Sequence, residues 1–204
     1  MKKLITVLPH QNIKPAYYGD ETGTLYPECQ KPVMNIATVT ALANIAKDDD
    51  FKVYVIDSMH DEGGEMNYKN LCDELKSYYG DHVMIERVDA PLTYTNRDQL
   101  LVFKKLYGLF EKGDEVYLDI TYGYKPLPMT IMTALNYAKK FVDNIRVMKI
   151  VYGHYDFSHK DDNNYIHKLI SVTSIFYLDQ LIDTLSSMNV KDPMKFIDQV
   201  FPED

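Results

Sequence analysis

The chain contains no tryptophan and only two cysteines, Cys29 and Cys72, among its 204 residues. Neither cysteine has a metal-ligating companion nearby, so the sequence predicts no disulfide framework and favours a reducing compartment. Long apolar runs are also missing: the run before Pro9 is too short for a signal peptide, and none reaches the length that spans a bilayer. We therefore expect a cytoplasmic protein that does not enter the membrane.

An excess of basic residues is missing as well. Lysine and arginine number 22 against 30 aspartates and glutamates, which gives a formal charge of −8. Surfaces that bind long nucleic acids indiscriminately are usually basic, so this balance argues against such a partner. It does not exclude a small phosphate-bearing ligand in a local pocket. Hydrophobic residues make up 46% of the chain, as in an ordinary globular domain with one sizeable core.

Signatures for common cofactors are absent too. Residues 8–12 follow the first predicted strand without a G-x-G-x-x-G pattern, which argues against a nicotinamide dinucleotide. No G-x-x-x-x-G-K-[ST] pattern occurs, which argues against a P-loop. Residues 154–162 contain two histidines and three aspartates, but their spacing fits no recognised zinc or calcium loop. We expect no cofactor and no metal site.

Short apolar runs alternate with helical patterns along most of the chain. The runs predict six strands, at residues 4–8, 51–56, 83–88, 116–120, 145–152 and 166–172. Helices are predicted between them, with Pro32 opening the first helix and Thr95 capping the third. Gly63 and Gly64 are interpreted as a turn. The order predicts a Rossmann-like α/β fold, a doubly wound, mostly parallel six-stranded sheet with helices on both faces.

The rest of the chain is assigned by its lack of periodicity. Residues 10–30 are polar and are predicted as a long loop, which in a compact domain is usually functional or partly disordered. We assign residues 1–188 to a single Rossmann-like domain. Residues 189–204 are expected to form a short C-terminal tail with one helical turn.

One segment, residues 116–129, combines the signals of a strand, a turn and a helix. Its first residues are mostly apolar and suit a strand that is buried on both faces. Gly123 then permits backbone angles that other residues resist, and Pro126 suits the first turn of a helix. We expect the Thr121 hydroxyl and the Lys125 ammonium at the end of the sheet. Open α/β sheets bind ligands there, and helix N-termini favour anions.

Residues 119–128 spell D-I-T-Y-G-Y-K-P-L-P, which resembles the D-I-T-H-G-F-R-x-L-P signature of CARF domains. Tyr122 stands where histidine is common, and Lys125 stands where arginine or lysine occurs. The order of elements around the signature agrees over nearly the whole chain. The resemblance implies a CRISPR-associated Rossmann-fold protein of type III CRISPR systems, a family that senses cyclic oligoadenylate. It also implies that the first and fourth strands are central, with their loops side by side.

The resemblance implies a pocket with two walls, the turn after the fourth strand and the loop after the first. The tip of the fifth strand adds a residue at the rim. The predicted ligand-binding residues are Pro9, His10, Gln11, Asn12, Thr121, Tyr122, Gly123, Tyr124, Lys125 and Gly153. Most of the 17 tyrosines are expected to lie between core and surface, but a ring in these turns can also stack on a base.

The chemistry of these side chains suggests their roles. Lys125 is expected to meet a phosphate and Thr121 to donate its hydroxyl, while Gly123 lets the backbone approach the ligand. Asp119 would repel an anion and is expected to hold the turn by accepting N–H bonds. His10 suits donation to a phosphate, or acid–base chemistry near neutral pH. Amides in the same loop, at residues 11–12, suit contacts to adenine edges or ribose hydroxyls.

Three functions remain open at this point. The first is a sensor in which a homodimer binds one cyclic oligoadenylate symmetrically. The second is a metal-independent ring nuclease, in which the ribose 2′-OH attacks and Lys125 or His10 stabilises the developing charge. The 16 residues after Met188 lack the R-x4-6-H pattern of the ribonuclease domain that such sensors commonly carry, so a partner or a longer protein is a further alternative. The third is an unrelated nucleotide-binding α/β enzyme.

Overall fold

The strands and helices alternate along the chain as the sequence predicts. A computed structural model describes residues 1–11, 13–14, 16–20, 37–46, 50–90, 95–188 and 190–200. The strands are β1 (Lys2–Val7), β2 (Tyr17–Gly19), β3 (Phe51–Asp57), β4 (Val83–Asp89), β5 (Glu115–Asp119), β6 (Arg146–His154) and β7 (Ile166–Ser171). The helices are α1 (Ala37–Ala46), α2 (Glu62–Tyr79), α3 (Asn96–Tyr107), α4 (Pro126–Phe141), α5 (Thr173–Ser187) and α6 (Pro193–Val200).

The seven strands form one sheet in the order β2-β7-β6-β5-β1-β3-β4. Strands β4, β3, β1, β5 and β6 are mutually parallel, whereas β7 runs antiparallel to β6. The predicted α/β class, a mostly parallel sheet, is confirmed, but the described residues form seven strands rather than six. The missed strand, β2, has three residues, too few to show the alternation that marks a strand in a sequence.

Helices cover both faces of the sheet. Leu42 of α1 and Leu71 of α2 belong to one buried cluster with the strand side chains of that face. Val102 of α3, Ile131 of α4 and Phe176 of α5 belong to the cluster on the other face. Burial on both faces explains why the central strands are continuous apolar runs.

The predicted helix starts are partly confirmed. Pro126 is the first residue of α4, and the Thr95 hydroxyl caps α3 by accepting the N–H of Asp98 at 3.2 Å. The interpretation of Gly63 and Gly64 as a turn is wrong, because both lie in the first turn of α2. The side chain of Asp61 caps that helix by accepting the Gly64 N–H at 2.7 Å, which offsets the weak helix propensity of glycine.

Two further predictions concern the ends of helices. The start of the first helix at Pro32 lies outside the residues that the structure describes. In the C-terminal tail, α6 has 8 residues and so makes about two turns, rather than the single turn expected. The boundary between domain and tail at residues 188–189 stays a prediction. None of the described helices is both long and apolar enough to cross a bilayer.

The topology places the candidate site at the carboxyl edge of the sheet. Strand β1 pairs with β5 on one side and with β3 on the other, in parallel register. The residues that follow Val7, Asp57 and Asp119 therefore emerge next to one another. Strand β4 lies at the sheet edge, and its buried residues alternate with more exposed ones.

Candidate functional site

Two neighbouring cavities lie at the carboxyl edge, and three residues, Gln11, Thr121 and Tyr122, line both of them. The first cavity, of about 440 Å³, is lined by Leu8, Pro9, His10, Gln11, Ser58, Met59, Asp61, Thr121, Tyr122, Gly123 and Tyr124. The second cavity, of about 450 Å³, is lined by Gln11, Ile13, Lys14, Tyr18, Thr121, Tyr122, Tyr152, Gly153, Tyr155, Phe157 and Lys160. Both volumes lie within the range of small-ligand sites.

The structure brings most of the predicted site residues together. The residues of the β1 loop and of the turn after β5 line the first cavity, and Gly153 of β6 lines the second. Lys125 is exposed at the start of α4 and is not among the residues that line either cavity. Asn12 lies outside the residues that the structure describes, so its predicted contact stays a prediction.

The turn after β5 is held by Asp119. One carboxylate oxygen of Asp119 accepts the Thr121 N–H at 2.9 Å and the Thr121 hydroxyl, and the other accepts the Thr6 hydroxyl at 3.1 Å. The hydroxyl oxygen of Thr121 in turn accepts the Gly153 N–H at 2.8 Å, which joins the turn to β6. The prediction that Asp119 holds the turn by accepting N–H bonds is confirmed. Because the Thr121 hydroxyl already donates to Asp119, a ligand would have to compete for its hydrogen.

Asp119 is fully buried, and the two hydrogen-bond partners described above, Thr121 and Thr6, are neutral. Burial raises the pKa of its carboxyl group, because the charged form loses its hydration. The hydrogen bonds from Thr121 and Thr6 oppose that effect without reversing it. The carboxyl group beneath the turn therefore holds its proton to a higher pH than an exposed aspartate does.

Two glycines let the turn and β6 pack closely. Gly123 has a φ angle of +96°, and a β-carbon there would lie 2.8 Å from Cγ1 of Val7. The close approach at Gly123 is thus to β1, within the protein. A β-carbon on Gly153 would collide with the methyl group of Thr38 and lie 3.1 Å from the hydroxyl oxygen of Thr121. Gly153 therefore allows helix α1 and the turn to meet over β6.

The loop after β1 is clamped by helix α2. The side-chain amide of Asn67, a buried residue, donates to the carbonyl oxygens of Pro9 at 2.7 Å and Gln11 at 3.1 Å. A β-carbon on Gly63 would lie 2.5 Å from the carbonyl oxygen of His10. The close approach of helix and loop explains the glycines at the start of α2, which the sequence alone did not.

The imidazole ring of His10 lies between two carboxylates. Its Nδ1 atom is 3.0 Å from Oδ1 of Asp61, and its Nε2 atom is 3.2 Å from Oδ1 of Asp57. Hydrogen bonding with His10 and with the Gly64 N–H holds the pKa of Asp61 below its usual range. Because both ring nitrogens face carboxylates, the ring is positioned to brace the loop. Its predicted contact with a phosphate, or its role as an acid or base, stays a prediction.

Asp57, which the sequence analysis did not select, is the centre of this charge network. Its buried carboxylate accepts the Nε–H of Arg87 at 2.8 Å and the N–H of Met59 at 3.1 Å. Nδ1 of His60 lies 3.1 Å from it. Burial raises the pKa of Asp57, but the Met59 N–H and the Arg87 guanidinium outweigh this effect and leave the pKa lowered. Asp57 is therefore a fixed negative charge.

The second cavity differs in character from the first. Two lysines, Lys14 and Lys160, line it together with aromatic side chains, whereas Asp61 lines the first. Of the aromatic residues that line it, only Tyr122 was predicted from the sequence to bind the ligand, and neither lysine was. Within the described part of the chain, no three His, Cys, Asp or Glu side chains are grouped closely enough to hold a metal ion. The arrangement suits a ligand that is both planar and anionic.

Comparison with known proteins identifies the family. The family model for the CARF domain of the CRISPR system endoribonuclease Csx1 matches residues 16–156. The match spans more than half of the chain and includes the turn after β5, whereas the β1 loop precedes it. No curated protein matches the chain. The chain therefore belongs to the Csx1 CARF-domain family of CRISPR systems, as the resemblance at residues 119–128 predicted.

Proposed function

We propose that this chain binds cyclic oligoadenylate at the carboxyl edge of its sheet, in the cytoplasm, as part of type III CRISPR defence. The observation that carries the proposal is that the signature turn, residues 121–124, opens onto the first cavity together with the β1 loop. Thr121 and Tyr122 also line the second cavity, so one continuous surface is available to an extended ligand. Family membership supports the choice of ligand.

A homodimer is the expected binding unit, and an exposed apolar surface supports it. A groove of about 480 Å³ between α3 and α4 is lined by Asn96, Gln99, Leu100, Phe103, Pro126, Met129, Thr130 and Thr133. The apolar side chains of Leu100 and Met129 are 60% and 69% exposed. Exposure of apolar area to water is unfavourable, so a second subunit that covers the groove would be stabilised. Because α4 begins directly after the signature turn, pairing at this groove would bring two first cavities close together. A two-fold axis there presents each contact to a cyclic ligand twice.

Cleavage of the bound ring is the second candidate function. In that reaction the ribose 2′-oxygen attacks the adjacent phosphorus, the bond to the 5′-oxygen breaks, and a 2′,3′-cyclic phosphate and a 5′-hydroxyl result. Lys125 favours this candidate because it is exposed and directly follows Tyr124, which lines the first cavity, so its ammonium can approach the developing negative charge. His10 is the weaker choice, since Asp57 and Asp61 engage its ring.

The decisive experiment incubates the purified protein with cyclic tetra-adenylate and cyclic hexa-adenylate in EDTA, followed by calorimetry and chromatography. Tight binding of an intact ring supports a sensor, which would act through a partner or a further domain. Linear products that end in a 2′,3′-cyclic phosphate support a ring nuclease. Failure of both rings to bind refutes the proposal, and binding of a mononucleotide alone by a monomer favours the unrelated nucleotide enzyme.

The Lys125→Ala variant tests the predicted phosphate contact. We expect about tenfold weaker binding of the cyclic ligand, equal to about 1.4 kcal/mol, because a charge-assisted contact to phosphate is lost. Lys112→Ala is the matched control, since Lys112 is exposed in the loop that precedes β5, at the opposite edge of the sheet. Equal affinity of the Lys125→Ala variant and the wild type in calorimetry would remove Lys125 from the site.

A further inference from the structure

The second cavity is a basic site in an acidic protein. The chain carries 30 acidic and 22 basic residues, yet the described residues that line this cavity include two lysines and no aspartate or glutamate. Lys14 and Lys160 are both exposed, so their ammonium groups can reach a ligand while their stems stay on the protein surface. A local cluster of one charge sign at a concave surface attracts a ligand of the opposite sign.

One wall of the same cavity is aromatic and open to solvent. The ring of Phe157 is 76% exposed and meets the ring of Tyr155 edge to face, with centroids 5.1 Å apart at 66°. Tyr152, also 41% exposed, lies on the same wall. The rings of Phe157 and Tyr155 form a corner in which a planar ligand can stack on one ring and meet the other at its edge.

The aromatic corner is supported from below. Tyr155 stacks on the buried ring of His167, with centroids 4.1 Å apart and planes at 21°. Nδ1 of His167 accepts the N–H of Asp156 at 3.0 Å, which fixes the ring. Burial lowers the pKa of His167, so this acceptor is retained at neutral pH. A ring held in this way loses little conformational entropy when a ligand stacks on it.

We propose that the second cavity is a nucleobase subsite. A base enters the corner of Phe157 and Tyr155, and the adjoining phosphate meets Lys14 and Lys160. The identity of that base as adenine rests on the proposed function. The shared lining residue Tyr122 then separates the base from the phosphate or ribose that occupies the first cavity.

The absence of tryptophan from the chain gives a direct test. The Phe157→Trp variant carries a single indole at the proposed subsite, and Tyr78→Trp carries one near the end of α2, where 38% of the tyrosine is exposed. With cyclic tetra-adenylate or cyclic hexa-adenylate at saturation, we expect quenching of the indole in the Phe157→Trp variant only. Stacking of a base on the indole is the physical cause.

The outcomes separate this inference from the proposed function. Heat of binding without quenching in the Phe157→Trp variant overturns the subsite and leaves ring binding intact. If neither ring binds, the proposed function fails, and 5′-AMP then becomes the probe. Quenching of the Phe157→Trp variant by 5′-AMP supports the subsite by itself, and its absence overturns the subsite.

Affinity gives a second measurement. For whichever ring binds, we expect the Phe157→Leu variant to bind about tenfold more weakly, since one stacking contact is lost. The Lys160→Gln variant should weaken binding and also reduce its dependence on salt, because one ion pair with phosphate is removed. Tyr78→Leu serves as the control, and circular dichroism checks that each variant is folded. Unchanged affinity in both site variants refutes the subsite.

Discussion

Asp57 and Asp119 end the two strands that flank β1, and both side chains are fully buried. Arg87 and the N–H of Met59 meet Asp57, whose pKa is lowered although burial alone raises it. Burial dominates at Asp119, where Thr121 and other neutral donors are the partners, and the pKa is raised. Two carboxyl groups without solvent contact thus differ: one beside a guanidinium is a fixed charge, and the other, deeper in the protein among neutral donors, resists ionisation.

The difference shows that loss of solvent contact does not by itself decide the charge of a carboxyl group, because its partners and its depth in the protein also count. On the Asp57 side, the imidazole of His10 lies between the Asp57 and Asp61 carboxylates, and hydrogen bonds from Asn67 hold the β1 loop against α2. On the Asp119 side, hydrogen bonds from neutral groups fix the turn and join it to β6 through Gly153. A ligand that carries phosphates should therefore meet less repulsion on the Asp119 side, next to the second cavity.

The largest effect is expected from Asp57→Ala. The change leaves Arg87 without its buried acceptor and removes the carboxylate next to His10. We expect it to lower the free energy of unfolding by about 3 kcal/mol. Chemical denaturation measures this value. The control is Asp89→Ala, whose carboxylate is 54% exposed and 2.8 Å from His60, and we expect about 0.5 kcal/mol there. Similar losses in both variants would mean that Asp57 is not the centre of the network.

Gly153→Ala tests the opposite side of β1. The new methyl group would collide with the methyl group of Thr38 and press on Thr121, so we expect a loss of about 2 kcal/mol in the free energy of unfolding. Thr38→Ser removes the methyl group that causes the collision. The double variant should therefore be more stable than the sum of the two single changes predicts. Simple additivity in denaturation would contradict the contact.

A smaller effect is expected from Asn67→Ala, which removes the clamp on the β1 loop. Loss of the hydrogen bonds to Pro9 and Gln11 should lower the free energy of unfolding by about 1.5 kcal/mol. Binding of the cyclic ligand should also weaken, because the loop is no longer fixed. Lys69→Ala, an exposed change on the same helix, is the control in both measurements. A stable variant with normal affinity would show that the loop needs no clamp.

Asp119→Asn should have the smallest effect near pH 7, under about 1 kcal/mol, since the amide oxygen can accept from Thr121 while the Thr6 hydroxyl turns to accept from the amide NH2. The pH dependence of the variant's stability is the more informative measurement. The pKa of Asp119 is raised above the value of about 3.9 expected in the unfolded chain. Between those values the folded protein keeps a proton that the unfolded chain loses, so wild-type stability falls as pH rises.

The sign of that trend distinguishes the two carboxylates. Asparagine does not titrate, so the Asp119→Asn variant should gain stability relative to the wild type as pH rises through that window. Asp57→Asn should show the reverse, because the lowered pKa of Asp57 contributes stability that is lost as pH falls. Denaturation below about pH 4 measures the difference for Asp57, and denaturation above about pH 4 measures the difference for Asp119. Parallel trends for the two variants would contradict the assignment of opposite shifts.

Local sequence signals predicted most of the fold. Apolar runs located the longer strands, and Pro126 and Thr95 marked helix starts, because these signals act within a few residues. The three-residue strand β2 was missed, since its pairing with β7 joins segments about 150 residues apart and leaves no local pattern. Gly63 and Gly64 were misinterpreted because glycine is required there for the close contact between α2 and the β1 loop, which the sequence does not show.

The residues of the candidate site likewise fall into those that the sequence predicted and those that it did not. The signature turn and the loop after β1 were selected from the sequence, because a family signature and strand ends are visible there. The pairing of Asp57 with Arg87 was not, since it depends on the register between β3 and β4. Lys14 and Lys160 were missed for a similar reason, as each is an ordinary exposed lysine until the fold places both at one cavity.

The sequence by itself determined the α/β class, the strand-turn-helix of the signature, and the role of Asp119 in holding that turn. Each follows from neighbours in the chain, where spacing fixes geometry. Only the tertiary structure decided that Asp57 is a charged hub and that His10 is braced between two carboxylates. It also decided that a basic, aromatic cavity lies beside the turn. Those properties depend on burial and on charged groups from segments that are far apart in the sequence. The distances between these groups are fixed only when the sheet is assembled.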